Sequence, residues 1–430
     1  MRIGFYTLGC KVNQYETEAL KSAFSKEGFD VVCDEEQADV YIVNSCTVTA
    51  SGDKKTRQLL RRLKRQNPNA VIALTGCMPQ AFPEHAQLLT QAQVITGSNN
   101  RKSLIEHIKR ALITNERIVD ITPHQKGESF EHMGVERFME KTRAFVKIQD
   151  GCDRYCSYCI IPKARGPIRS KPLKVLKEEI LTIVNNGYQE IVLVGINLSS
   201  YGKEIGLRLI DAIELVCSID GVARVRLGSI EPELLLDEDI ERMSKQPKFC
   251  PQFHLSLQSG CDATLKRMNR HYDTAFYKDL VEKLRKTFPD CSITTDIMVG
   301  FAGETQQEFE QSLSFAQEIG FARAHVFAYS VRQGTQAATF PNQLEQKIKE
   351  QRSKQMIAVT NQTRLQFLQS QIGKRYQVLF EYTVTEEGTE GYTPNYIPVF
   401  VTSQQPLSTT IRVVEITAVR GDHCIGILVD

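Results

Sequence analysis

The stretch "GCDRYCSYC" at residues 151–159 sets Cys152, Cys156 and Cys159 in a C-x3-C-x2-C run. Thiolates are soft metal ligands. Three of them in one short loop can each take one iron of a four-iron cube and leave the fourth iron without a protein ligand. A zinc knuckle is the alternative, but structural zinc takes a closed set of four ligands. The next histidine downstream is the distant His254. An open coordination position is a place for substrate or cofactor, as in catalytic metal sites generally. Three more cysteines stand singly: Cys10 in "TLGCKVNQYE", Cys46 in "NSCTVT" and Cys77 in "TGCMPQ". A lone cysteine is most often a packing residue, so their meaning depends on the elements that carry them.

Those elements are legible from periodicity. Strand-like runs "RIGFYTL", "VYIVNS", "AVIALTG" and "AQVITGS" alternate with amphipathic segments through residue 115, which predicts a parallel sheet covered by helices. Cys10, Cys46 and Cys77 each follow one of the first three strands. The carboxyl ends of parallel strands share one edge of an open α/β sheet, where ligands bind. Three cysteines converging there read as a metal site, whereas one alone reads as packing. Asn13, close behind Cys10, either lines that site or closes a turn.

Residues 116–140 lack clear periodicity and read as a linker. Beyond it, "AFVKIQ", "EIVLVG", "VARVRL", "QFHLSL", "SITTDIMV" and "RAHVFAYS" form six strand candidates with helical segments between them. Six βα units fall short of the eight that close a full barrel. The expectation is a partial (β/α)6 barrel over 141–370, ending in a long polar helix at roughly 342–372. Strand alternation in "RYQVLFEYTV", "YIPVFVTS" and "TTIRVVEITAV" then predicts a small β-barrel over 371–430. The fold class is α/β throughout the first two domains, the N-terminal one (1–115) being of the Rossmann or flavodoxin-like parallel-sheet kind.

Composition sets the class. The chain has 430 residues, 41% hydrophobic and 24% charged, the values of a soluble globular protein of two or three domains. No apolar run approaches the ~18 residues of a membrane span, and the N-terminus runs straight into a strand without a cleavable apolar core. The expected location is cytoplasmic, where thiols stay reduced, so the twelve cysteines read as ligands, catalytic groups or core thiols rather than disulfides. Cys33, Cys217, Cys250, Cys261, Cys291 and Cys424 lack ligand spacing and read as core or incidental thiols. The net charge of +2 names no partner, but "DKKTRQLLRRLKR" at 53–65 holds seven basic residues against one acid. Thr56, Leu59, Leu60 and Leu63 share one helical face there, leaving the cations as either a solvated face or a phosphate-facing patch.

The C-x3-C-x2-C loop on a partial barrel resembles the radical S-adenosylmethionine superfamily. That resemblance implies S-adenosylmethionine chelated by the open iron of a [4Fe-4S] cluster and split to a 5'-deoxyadenosyl radical. It also implies cofactor-facing roles for Tyr158, in the cysteine loop, and for Gly195, Asn197, Ser229, Gln258 and Asp296 at later strand ends. Each of these also reads as a cap, turn or packing residue. The order of a three-cysteine α/β domain, radical barrel and small terminal β-barrel is similar to the methylthiotransferases, whose last module is the RNA-binding TRAM domain. Within them, "LGCKVNQYET", "NSCTVT" and "TGCMPQ" resemble the branch that acts on N6-threonylcarbamoyladenosine next to the tRNA anticodon.

By that resemblance, Cys10, Cys46 and Cys77 hold a second [4Fe-4S] cluster that delivers sulfur. The implied partners are the tRNA anticodon stem-loop, a flavodoxin-like electron donor and a sulfur source. Lys171 in "RGPIRSK" stands where relatives often have arginine. Phosphate contacts are expected from the basic helix, from Arg165 and Arg169, from "LKRMNRHY" at 265–272 and from the terminal barrel. The alternatives are methylthiolation of isopentenyladenosine in tRNA or of a ribosomal-protein aspartate, or a non-enzymatic iron–sulfur RNA-binding protein.

Overall fold

The computed structural model describes residues 1–33, 36–135, 138 and 142–429. Six parallel strands form the first sheet: β1 (Arg2–Thr7), β2 (Asp30–Val32), β3 (Val40–Ser45), β4 (Val71–Gly76), β5 (Val94–Thr96) and β6 (Ile118–Asp120). Their order is β2-β1-β3-β4-β5-β6, so the chain reverses direction across the sheet between β1 and β3. A crevice opens at such a switch point, on the carboxyl edge. β3 and β4 are buried along their whole lengths, as near-continuous apolar runs are in a sheet covered on both faces.

The edge strand β6 lies inside the segment read as a linker. Three residues are too few to show a period. The segment is pinned further by Gln80 Nε2 donating to Thr122 O at 3.0 Å and by Val135 and Phe138 buried in the central core. Residues 136, 137, 139 and 140 of that segment, and the expected barrel start at 141, lie outside the described residues.

Next come β7 (Arg143–Asp150), β8 (Arg169–Ser170), β9 (Glu190–Gly195), β10 (Arg224–Leu227), β11 (Ser229–Ile230), β12 (Gln252–Leu255), β13 (Ser292–Val299) and β14 (Arg323–Ala328). β7, β9 and β10 are parallel neighbours, and β11 to β14 form a second parallel set. Only Gly228 separates β10 from β11, and its N–H donates to Leu193 O at 2.8 Å. The two sets therefore run on as one open arc of six strand positions, with β8 antiparallel at the outer edge. Helix Leu173–Asn185 buries Leu176, Ile180 and Ile183 against the arc at their helical spacing. Each such side chain contributes roughly 1.5–3 kcal/mol. Helix Gln346–Gln369 follows, within the expected long polar helix, and packs along β14.

The first sheet and the arc meet across helix Lys11–Lys26. Leu20 and Phe24 belong to the core of the first sheet, Tyr15 and Ala19 to that of the arc, and Val12 packs with Val192 and Val194 of β9. A helix covered on two sides must bury its polar residues too, and Asn13, Glu16 and Thr17 are buried with it.

The C-terminal strands β15 (Arg375–Thr385), β16 (Gly388–Tyr392), β17 (Pro398–Val401), β18 (Ile411–Arg420) and β19 (His423–Leu428) close a barrel in the order β15-β16-β17-β19-β18. It docks at the starts of the central strands. Arg226 of β10 donates to Pro394 O at 2.8 Å and Arg143 of β7 lies over the rings of Tyr392 and Tyr396.

Candidate active site

Cys46 and Cys77 follow β3 and β4 directly and Cys10 stands three residues past the end of β1, so Cys10 and Cys46 flank the switch point. The backbone must bend sharply to bring them close. Gly9 has φ +115°, and a Cβ there would fall 2.6 Å from Cys46 Cβ and 3.0 Å from Cys46 Sγ. Gly76, before Cys77, has φ +98°, and its Cβ would meet Asn44 Oδ1 at 2.5 Å. A larger residue at Gly9 would press on Cys46, and one at Gly76 on the end of β3 that carries it.

Cys10 is exposed, Cys46 half-buried and Cys77 buried. Burial raises the Cys46 thiol and pushes Cys77 up to about 12. Against this, Arg165 Nε donates to Cys77 Sγ at 3.1 Å. The Arg165 side chain is fully buried; its other nitrogens donate to Glu16 Oε1 and Asn13 Oδ1, each at 2.6 Å. Glu16 also takes Arg101 at 2.9 Å and Lys147 at 2.7 Å, and Lys147 reaches Asp150 at 2.5 Å. A buried ionic network thus joins the first sheet to β7 and to the short helix Ile161–Arg165 after Cys159. A second joint lies beside Cys46: Arg332, from the loop after β14, donates to Asp53 Oδ2 at 2.6 Å, and Thr47 donates to Asp53 Oδ1 at 2.8 Å.

Cys152, Cys156 and Cys159 follow β7, each with a nitrogen donor near its sulfur. Asn197 Nδ2 lies 3.8 Å from Cys152 Sγ, Arg270 Nη1 3.2 Å from Cys156 Sγ, and the Ile161 amide 3.4 Å from Cys159 Sγ. Burial pushes Cys152 up to about 11 and Cys159 further up. Thiols this reluctant to ionise give up their protons to a metal, whose charge replaces them.

Among the described residues no three His, Cys, Asp or Glu side chains stand close enough to hold one ion. A single tetrahedral zinc would bring its sulfurs within about 4 Å of one another, whereas thiolates on separate irons stand wider. Three thiolates per set with N–H donors to sulfur fit an iron–sulfur cluster.

A cavity of about 620 Å³ lies between the first sheet's edge and the arc. Cys10 and Lys11 line one side; Gly195, Ser229 and Asp296 line another, with Tyr396 from the terminal barrel. His254 Nε2 stands 3.3 Å from the Asp296 carboxylate. Asn197 sits apart from this lining, beside Cys152. Gln258 is held at φ +66°, and its amide N–H donates to Asp296 O at 2.9 Å. Among the described residues, Asn197 Oδ1 and Gln258 Oε1 are both buried without a partner, so a polar ligand has acceptors waiting for it. Tyr158 packs edge-on to Phe301, with ring centroids 6.3 Å apart.

The family model of the uncharacterized protein family UPF0004 matches residues 2–97, and that of the radical SAM superfamily matches residues 146–316. The chain is 37% identical over 405 residues to the threonylcarbamoyladenosine tRNA methylthiotransferase MtaB of Bacillus subtilis (strain 168), covering 92% of this chain and 89% of that one. The chain belongs to the radical S-adenosylmethionine methylthiotransferase family. A second relative is the tRNA-2-methylthio-N(6)-dimethylallyladenosine synthase of Clostridium botulinum (strain Loch Maree / Type A3), 36% identical over 386 residues, 88% of this chain and 85% of that one. In fold, this methylthiotransferase is similar to the radical S-adenosylmethionine methyltransferase TsrM from Kitasatospora setae, with a TM-score of 0.56 at 14% identity over 76% of this chain and 72% of that one.

Several cations of the methylthiotransferase face inward, against expectation. Arg165 is sealed in the network above, and the buried Arg169 reaches Asp150 at 3.3 Å and Glu128 at 3.2 Å. In "LKRMNRHY", Arg267 is clamped by Glu308 at 2.8 Å and Arg270 is buried against Glu231, leaving Lys266 exposed. Lys171 is buried against Glu179. The basic helix is the opposite case. Lys54, Lys55, Arg61, Arg62 and Arg65 are exposed, and no ion pair among the described residues engages them. Sequence reading missed Glu16, although its place among Val12, Tyr15 and Ala19 on a helical face marked it as a buried charge in need of partners.

Proposed function

We propose that this methylthiotransferase places a methylthio group on carbon 2 of N6-threonylcarbamoyladenosine beside the anticodon of tRNA. The observation that carries the reading is the single cavity that Cys10 shares with Gly195, Ser229 and Asp296. A sulfur-presenting site and a cofactor-facing wall then address one bound base. The threonylcarbamoyl substrate is supported by the MtaB relatives and by the motifs around Cys10, Cys46 and Cys77. The dimethylallyladenosine relatives favour a second reading, the same transfer on isopentenyladenosine.

In this reading Cys152, Cys156 and Cys159 hold one [4Fe-4S] cluster and Cys10, Cys46 and Cys77 another. S-adenosylmethionine lies against Tyr158, Gly195, Asn197, Ser229, Gln258 and Asp296. When bound, these groups supply the one-electron chemistry needed at an aromatic carbon with no useful acidity. The chain's own part is positioning. Arg270 and Arg165 each donate to one cysteine sulfur, Asn197 and Gln258 offer buried acceptors, and the exposed Cys10 faces the cavity. The target base must leave its stack to enter, which a single-stranded anticodon loop permits at modest cost. The partners are the tRNA anticodon stem-loop, a flavodoxin-like electron donor and a sulfur source, all met in the cytoplasm.

Mass analysis of tRNA nucleosides from cells with and without the gene tests the substrate. The 2-methylthio form of N6-threonylcarbamoyladenosine should disappear on deletion, while that of isopentenyladenosine persists. The reverse pattern selects the second reading.

A further inference from the structure

The shared cavity carries an uneven charge. Lys11 and Arg323 both line it, and no ion pair among the described residues neutralises either of them. Nearby cations are already matched: Arg226 bonds Glu190 at 2.9 Å and Arg143 pairs with Glu381 at 2.6 Å. The Asp296 carboxylate is met by His254. His325 lies within the fields of Arg323 and Lys11; with burial, they lower its pKa in spite of Asp296. The result is a cavity with two cations that no carboxylate among the described residues meets, Lys11 standing 5.9 Å from the Phe145 ring centroid. An isoprenoid chain gives such groups nothing to bind and would leave them partly desolvated beside it, at a cost. A carboxylate gives them charge-assisted hydrogen bonds.

Resting on the threonylcarbamoyl reading above, we propose that Arg323 and Lys11 receive the threonyl carboxylate of the N6 substituent and thereby select that substrate over one with an apolar substituent. Arg323 lies at the start of β14 and Lys11 directly after Cys10. A carboxylate held between them ties the base to both sides of the cavity. A site built to bind a charged group discriminates strongly against an analogue that lacks it, because its own charges are then left unmatched.

The test is binding of three synthetic anticodon stem-loops, carrying N6-threonylcarbamoyladenosine, isopentenyladenosine or plain adenosine, to the cluster-loaded protein. Methylthiolation of the first two is followed in parallel. The wild-type protein should prefer the threonylcarbamoyl RNA. Arg323→Gln and Lys11→Gln should each weaken that RNA by on the order of tenfold, leave the plain RNA unchanged, and raise KM more than they lower kcat. Arg323→Lys should recover part of the loss. If both glutamine variants keep the full preference, or weaken all three RNAs alike, the carboxylate role is overturned. If the wild-type protein methylthiolates only the isopentenyladenosine RNA, the functional reading itself fails, whatever the variants do.

Discussion

Arg165 and Glu16 show what a single buried charge does in this fold. Burial alone would raise the Glu16 carboxyl, but Arg101, Arg165 and Lys147 override it and hold Glu16 at about 2 against an ordinary 4.5. An acid with a depressed folded-state pKa stabilises the fold fully above its unfolded value, and that stabilisation is lost as pH falls through the folded one. Urea denaturation should therefore show stability falling between about pH 4.5 and pH 2, and Glu16→Gln should flatten that part of the profile. Removing the partner is more severe. Arg165→Gln leaves Glu16 and Asp150 short of a cation in a buried site and should cost about 3–5 kcal/mol at neutral pH. A loss under about 1 kcal/mol, the range of an exposed pair, would mean that the network does not join the two modules.

At the scale of elements, helix Ala50–Gln66 divides its labour by face. Thr56, Leu60 and Leu63 are buried, and Asp53, its one acid, is spent inward on Arg332 and Thr47. Every charged residue that remains exposed on it is a cation, beside the neutral Ala50, Ser51, Gln58 and Gln66. The helix begins four residues after Cys46 and runs back to the start of β3, where Asn67 Nδ2 donates to Ala38 O at 2.9 Å, so Lys54 and Lys55 stand nearest the cysteines and Arg61, Arg62 and Arg65 at the far end. Phosphate contacts made here release counterions, and each one lost should lower the slope of log affinity against log salt by about 0.7–0.9. Replacing Arg61, Arg62 and Arg65 by glutamine should flatten the salt dependence of tRNA binding by up to about 2–3 in that slope. An unchanged slope would make the helix a solvated face and no more.

At the scale of the whole molecule, the two cysteine sets lie in separate modules joined by the Arg165 and Arg332 contacts, and Cys10 of the first set lines a cavity together with strand ends of the second module. Separate modules should fail separately. Alanine at Cys152, Cys156 or Cys159 should abolish both cleavage of S-adenosylmethionine to 5'-deoxyadenosine and formation of the methylthiolated nucleoside. Alanine at Cys10, Cys46 and Cys77 together should leave measurable 5'-deoxyadenosine but no methylthiolated product. Iron should fall from about eight to about four per chain in that variant, with circular dichroism confirming the fold. Methylthiolated product from the folded triple variant would show that the strand-end cysteines do not deliver sulfur.

Spacing and periodicity by themselves located the C-x3-C-x2-C loop, the three strand-end cysteines and the order of sheet, arc and terminal strands. Those features are local or follow from period, and β3, β4, β9 and β13 begin and end where their apolar runs do. The three-residue β6 escaped because an edge strand that short carries no period. Burial of charge was decided only in three dimensions. Arg165 and Arg61 are the same residue type in similarly basic stretches, yet one is sealed against Cys77 and Glu16 while the other meets solvent. The difference lies in what packs over each, and for Arg165 that is Glu16, 149 residues away in the chain. The cavity shared by Cys10, Lys11, Arg323 and Tyr396 is of the same kind. Four residues spread over nearly 400 positions become one site only when three sheets close around them.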